Sequence, residues 1–168
     1  MNVIIIQPSI ADIPQTLDFV MRARAEIFPM LDANAMPDDL TRFEQVYLSN
    51  KGGRFLIAKE GEVIIAAIGY LPYDHRFPQL DYHGRRTVEI VRLFVAHGYR
   101  GAGLAARMYD ALRLQALTDE VEVFYLHTHP FLPGAVGFWQ KRGFEIVDVD
   151  ADPVWQTTHM QQVLAQPA

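Results

Sequence analysis

The 168-residue chain contains no cysteine, which excludes a disulfide framework and any thiolate-bound zinc and favours a reducing, cytoplasmic setting. It has no apolar run near the roughly 18 residues needed to cross a bilayer, so no membrane partner is expected. The opening Met1–Ile6 has no basic region and runs directly into Gln7-Pro8-Ser9, so it reads as a first strand and not as a signal peptide. An excess of basic charge is also missing. Lys and Arg number 15 against 20 Asp and Glu, a net charge of −5, and a nucleic-acid partner would need a clustered basic face. No repeat or low-complexity stretch is present. What remains is a chain that is 50% hydrophobic and long enough for one domain with a full core, spanning residues 1–168.

Thr87–Leu117 organises the rest. Thr87–Val95 is rich in β-branched and aromatic residues and reads as a strand. Three glycines follow within Ala96–Gly103. From about Ala102 the apolar positions Leu104, Ala105, Met108, Ala111, Leu112 and Ala116 recur at helical spacing. A strand, a glycine turn and a helix together aim free backbone N–H groups and the positive end of a helix dipole at one point, which suits a phosphate or pyrophosphate. The spelling is not that of a P-loop, because Gly103 is followed by Leu104-Ala105 and not by Lys-Ser/Thr. A dinucleotide fingerprint would need Ala106 in place of its last glycine and a second βα unit that the sequence lacks.

Elsewhere the pattern predicts a strand at Val3–Gln7 and a helix capped by Ser9 or Asp12 with Pro14 early in it. A short second helix with Leu40, Phe43, Val46 and Tyr47 inward follows. Arg54–Lys59 and Glu62–Tyr70 read as a hairpin around Gly61. Tyr73–Arg86 is a long polar, aromatic loop, read either as one wall of a substrate site or as a solvated loop. Strands are expected at Val121–Thr128, Phe144–Val149 and Thr157–Leu164, with a short helix at Gly134–Arg142 stopped by Gly143 and a frayed Ala165–Ala168.

Two stretches resemble motifs of the GCN5-related N-acetyltransferase (GNAT) family. One is Glu89–Val95 followed by Tyr99-Arg100-Gly101-Ala102-Gly103-Leu104-Ala105, in which Arg100, Gly103 and Ala105 match Gln/Arg-x-x-Gly-x-Gly/Ala. A register on Gly98, Gly101 and Gly103 is also open. The other is Ala135-x-x-Phe138-Trp139-x-x-x-Gly143-Phe144. The resemblance implies an α/β (α+β) fold with a mixed, mostly antiparallel, twisted sheet, helices on both faces, and a splay after the Thr87–Val95 strand. It implies acetyl-CoA as cosubstrate. The backbone of Leu93, Phe94 and Val95 would hold the pantetheine and acetyl carbonyl. The N–H groups of Arg100, Gly101, Ala102, Gly103, Leu104 and Ala105 would cradle the pyrophosphate, and Trp139 would border the site. The acceptor would be a primary amine of a small molecule, attacking the thioester directly, with the oxyanion met by a backbone N–H near Val95. Alternatives are a protein N-terminal or lysine acetyltransferase and an acyl-CoA-binding module without efficient turnover. A homodimer is left open.

The attack needs a base, and Glu89 is the candidate. On a period-two strand it would share a face with Val91, Leu93 and Val95, and carboxylates among apolar neighbours hold a proton more readily. The competing expectation is an ion pair with Arg92 or with a loop arginine such as Arg86. Trp139 stands where the family often has the tyrosine that protonates the leaving thiolate, and Leu132 where it has an asparagine. An indole N–H donates a hydrogen bond but supplies no proton. Tyr125 is taken as the substitute acid, with His127 and His129 beside it. His127-Thr128-His129 could present two rings to a metal, but nothing in the spacing requires one, and no metal is assigned.

Overall fold

The protein is described here by a computed structural model covering residues 2–164; the expected fraying at 165–168 falls outside them. Seven strands form one sheet in the order β1-β2-β3-β4-β5-β7-β6. They are β1 (Val3–Ile6), β2 (Arg54–Glu60), β3 (Val63–Pro72), β4 (Thr87–Val95), β5 (Val123–Thr128), β6 (Glu145–Val149) and β7 (Thr158–Val163). Only β4 and β5 run parallel; every other neighbouring pair is antiparallel. The helices are α1 (Ile13–Ile27), α2 (Asp38–Thr41), α3 (Leu104–Thr118) and α4 (Ala135–Lys141).

Local chemistry accounts for these elements. Before α1, the Ser9 N–H and hydroxyl both donate to Asp12, at 2.8 and 3.0 Å, and Pro14 lies in the first turn, where it sacrifices no hydrogen bond. Lys59 Nζ donates to the other Asp12 oxygen at 2.9 Å. The Lys59 and Ser9 contacts hold that carboxyl down to about 2. The single second helix expected near Asp38 is instead α2 and a separate π turn, Glu44–Leu48. Gly53 has to be glycine beside that turn: a Cβ there would lie 2.1 Å from the Val46 carbonyl oxygen.

Helices cover both faces of the sheet. On one face Phe19 and Val20 of α1 pack with Leu40, Phe43, Tyr47, Phe55 and Ile57. On the other, Leu104, Met108, Tyr109 and Leu112 of α3 pack with Trp139 of α4 and the far sides of β3, β4 and β5. The Tyr73–Arg86 loop is not simply solvated. Its Tyr73 and Tyr82 are buried against Val123 and Tyr125 as a third, smaller cluster.

Strand β4 differs from expectation in one respect. Ala67 pairs with Phe94 but Gly69 with Val91, so β4 carries one extra residue opposite Ile68. The bulge is at Arg92, whose φ is +60°. An extra residue inverts the in–out alternation beyond it. Val91 and Phe94 therefore pack on the α1 side, whereas Ile90, Leu93 and Val95 pack on the α3 side. Glu89 does not share a face with Leu93 and Val95, contrary to strict alternation.

Candidate active site

Pairing between β4 and β5 stops after Thr87–Val123, Val88–Phe124 and Glu89–Tyr125. Beyond Glu89 the strands diverge, because β5 stays zipped to β7 as far as Thr128–Thr158 while β4 follows β3. The gap is a cavity of about 910 Å³. Glu89 to Val95 form one wall. Leu126 to Thr128, the Leu132–Ala135 turn, Phe138 and Trp139 form the other, and Ile27 and Phe28 close it from the end of α1.

At the open end, Gly101 and Gly103 have φ of +82° and +81°, a conformation side chains resist. Nothing lies within 4 Å of a Cβ built on either, so conformation and not crowding selects glycine. The first backbone donation into α3 is Arg107 N–H to the Gly103 carbonyl at 3.1 Å. The N–H groups of Leu104, Ala105 and Ala106 have no backbone acceptor among the described residues. Of the residues expected to hold a cofactor, Leu93, Phe94, Val95, Arg100, Gly101, Ala105 and Trp139 line the cavity. Ala102, Gly103 and Leu104 are not among the lining residues; the Leu104 side chain is buried in the α3 core. Arg100 folds back, its Nε donating to the Val95 carbonyl at 2.9 Å and its guanidinium lying 3.1 Å from the His97 ring. It ties the turn to the end of β4.

At the closed end, Glu89 is buried and ion-paired. Arg76 of the loop donates to both carboxylate oxygens, at 2.8 and 2.9 Å, and one of its nitrogens also reaches Asp74 at 2.9 Å. The partner is neither Arg92 nor Arg86. Arg92 is bound to Asp39 at 2.6 and 3.2 Å, inside the α1-side core. His127 Nδ1 lies 3.4 Å from the second Glu89 oxygen. His127 lines the cavity, and burial holds its ring down to about 4, against the opposing pull of Glu89.

Tyr125 is not where a proton donor to the cleft would stand. It is fully buried and does not line the cavity. Its hydroxyl is 2.7 Å from His159 Nδ1 and 3.4 Å from His127 Nδ1, and burial pushes it well above the usual tyrosine range. The displacement follows from alternation, which sends Tyr125 and His127 to the same side of β5, with Tyr125 deeper under the loop. His129 turns elsewhere, with Nδ1 3.1 Å from the Trp155 carbonyl and the ring stacked on Phe131. Arg76 lines the cavity and His159 and Asp150 stand behind Tyr125; these residues carried no signal in the sequence beyond their type, since Glu89 and Tyr125 are distant from them along the chain.

The family model described as acetyltransferase (GNAT) family matches residues 17–144. N-acetyltransferase 8B of Rattus norvegicus is 30% identical over 111 residues, which are 64% of this chain and 46% of that protein. The chain thus spans about half the length of the curated relatives it matches. Among solved structures, an acetyltransferase of the GNAT family from Staphylococcus aureus superposes with a TM-score of 0.75 at 20% identity, covering 98% of this chain and all of that one. A paia N-acetyltransferase from Thermoplasma acidophilum, in complex with coenzyme A, gives 0.72 at 15% identity, covering 98% and 100%.

Proposed function

Because the chain belongs to the acetyltransferase (GNAT) family, we propose that it moves an acetyl group from acetyl-CoA to a primary amine of a small molecule by direct attack. The observation that carries this reading is the cleft itself: two parallel strands part after three residue pairs and open beside a left-handed glycine turn with unclaimed N–H donors. Those donors suit a pyrophosphate, and the exposed edge of β4 past the bulge suits an amide-bearing arm. The complex of the Thermoplasma relative with coenzyme A supports the same ligand. Leu93, Phe94 and Val95 would hold that arm through their backbone, and the oxyanion would meet an N–H near Val95. Proton handling falls to the closed end, where Glu89, His127 and Tyr125 meet.

The test is release of free thiol from acetyl-CoA with a panel of primary amines. Amine-dependent release is the expected result. A second reading, an acyl-CoA-binding module, draws on Trp139 at the place of the usual proton donor. It would show as binding of acetyl-CoA with no amine-dependent release for any amine tried.

A further inference from the structure

Behind the cleft wall a line of side chains runs from Glu89 to the surface. Glu89 Oε2 is 3.4 Å from His127 Nδ1, and the same nitrogen is 3.4 Å from the Tyr125 hydroxyl. That hydroxyl is 2.7 Å from His159 Nδ1, and His159 Nε2 is 3.0 Å from Asp150 Oδ1. His159 is completely buried, and Phe77 packs edge-on against it and His127. Asp150, at the far end, is 33% exposed.

The two ends of this line are carboxylates, which when ionised only accept hydrogen bonds. Asp150 therefore requires a proton on His159 Nε2. With one ring proton, His159 offers Nδ1 as an acceptor, and the Tyr125 hydroxyl must donate to it; the short 2.7 Å contact agrees. The Tyr125 oxygen can then only accept, as can Glu89, and both face His127 Nδ1. The His127 proton sits on Nδ1, and Nε2 keeps its lone pair. Nε2 has no hydrogen-bond partner among the described residues, and His127 lines the cavity. Arg76 has no lone pair to offer Nε2, Asp148 stands by His159 and Asp150 at the far end of the line, and the His129 ring, 5.9 Å from that of His127 between centroids, makes its contact with the Trp155 carbonyl.

We propose that His127 is the proton acceptor of the cleft through Nε2, and that Tyr125, His159 and Asp150 are positioning residues that fix its tautomer through Nδ1. The proposal rests on the acetyl-transfer reading. A neutral amine forms its N–C bond with the acetyl carbon as its proton passes to His127 Nε2. The C–S bond breaks with its electron pair on sulfur, and the imidazolium returns the proton to the thiolate. This supplies the acid that Trp139 cannot. Glu89, held by Arg76, stabilises the imidazolium through Nδ1–H.

Long-range ¹H–¹⁵N NMR of the histidine rings near neutral pH tests this without turnover. The expected spectrum has His127 protonated at Nδ1 and bare at Nε2; the opposite tautomer overturns the proposal. In thiol release, His127→Gln should lower kcat by about 100-fold. Asp150→Ala and Tyr125→Phe should each lower it by about 10-fold, with KM for acetyl-CoA unchanged and His127 spread over both tautomers. Asp110→Asn, the same loss of charge on the exposed side of α3, should change neither. Wild-type tautomer and kcat in Asp150→Ala, or an equal loss in Asp110→Asn, would overturn the positioning role. Failure of the wild type to use any amine would instead remove the acetyl-transfer reading, and the ring spectrum would still report the tautomer.

Discussion

The two ends of β4 are held in opposite ways. Thr87, Val88 and Glu89 have a strand on each side, β3 or its flanking loop on one and β5 on the other, whereas Ile90 to Val95 have β3 alone. The doubly flanked end can bury charge, because partners reach it from both directions: Arg76 from the loop and His127 from β5 clasp Glu89. The singly flanked end offers main chain, and the nearby arginines are already engaged, Arg92 with Asp39 and Arg100 of the following turn with the Val95 carbonyl. On the proposed function, binding by backbone and chemistry by side chain would thus be separated along a single strand, with the bulge at Arg92 between them.

The strongest way to break this division is at the bulge. Arg92→Ala would leave Asp39 and Tyr47 without their cation in a largely buried setting, and we expect a loss of about 3–5 kcal/mol in denaturant unfolding. Next is the open end. Acetyl-CoA at about 100 times its Kd should add about 2.7 kcal/mol, several degrees in Tm, where NAD and ATP add nothing. Gly103→Trp, forced to φ +81° with an indole beside the N–H donors, should lose that gain. At the closed end, the unfolded chain takes up a proton below about 6.5 that folded His127, held down to about 4, refuses. Stability should therefore fall as pH drops from about 6.5 to about 4, by on the order of 2 kcal/mol, and His127→Gln should flatten that stretch. The smallest effect concerns the loop cluster behind Glu89. The Tyr82 hydroxyl is buried without a hydrogen-bond partner among the described residues, so Tyr82→Phe should raise stability by about 1 kcal/mol in the same unfolding assay.

Much of the open end was legible in the residues. The glycine spacing, the 3.6-residue recurrence from Leu104 to Ala116 and the Ala135–Phe144 motif are local patterns, and local patterns survive in a single sequence. The mixed, mostly antiparallel sheet followed from the family resemblance that those motifs carry, whereas the order of its strands did not. The bulge did not show, because Arg92 is an ordinary strand residue by type and its left-handed backbone is held by Asp39, far away along the chain. Period-two reasoning accordingly put Glu89 with Leu93 and Val95. The identity of the Glu89 partner was hidden for a similar reason: Arg76, Arg85, Arg86 and Arg92 are equivalent in composition, and only the folding of Tyr73 and Tyr82 onto Val123 and Tyr125 selects Arg76. His159 and Asp150 are joined to Tyr125 by the β5–β7 and β6–β7 ladders, which no short motif records.

The three residue pairs that join β4 to β5 also bear on the order in which the molecule assembles. The β2–β3 hairpin closes over Gly61 and Glu62 alone, so it can form early at little entropic cost. The β4–β5 seam must wait until the chain has passed through the whole of α3, and it then gains only three ladder positions. A seam so short and so late should be absent from the folding transition state. Val88→Ala, at its centre and buried in the α3-side core, should speed unfolding and leave the refolding rate unchanged. The cleft would then be the last part of the fold to form and the first to open.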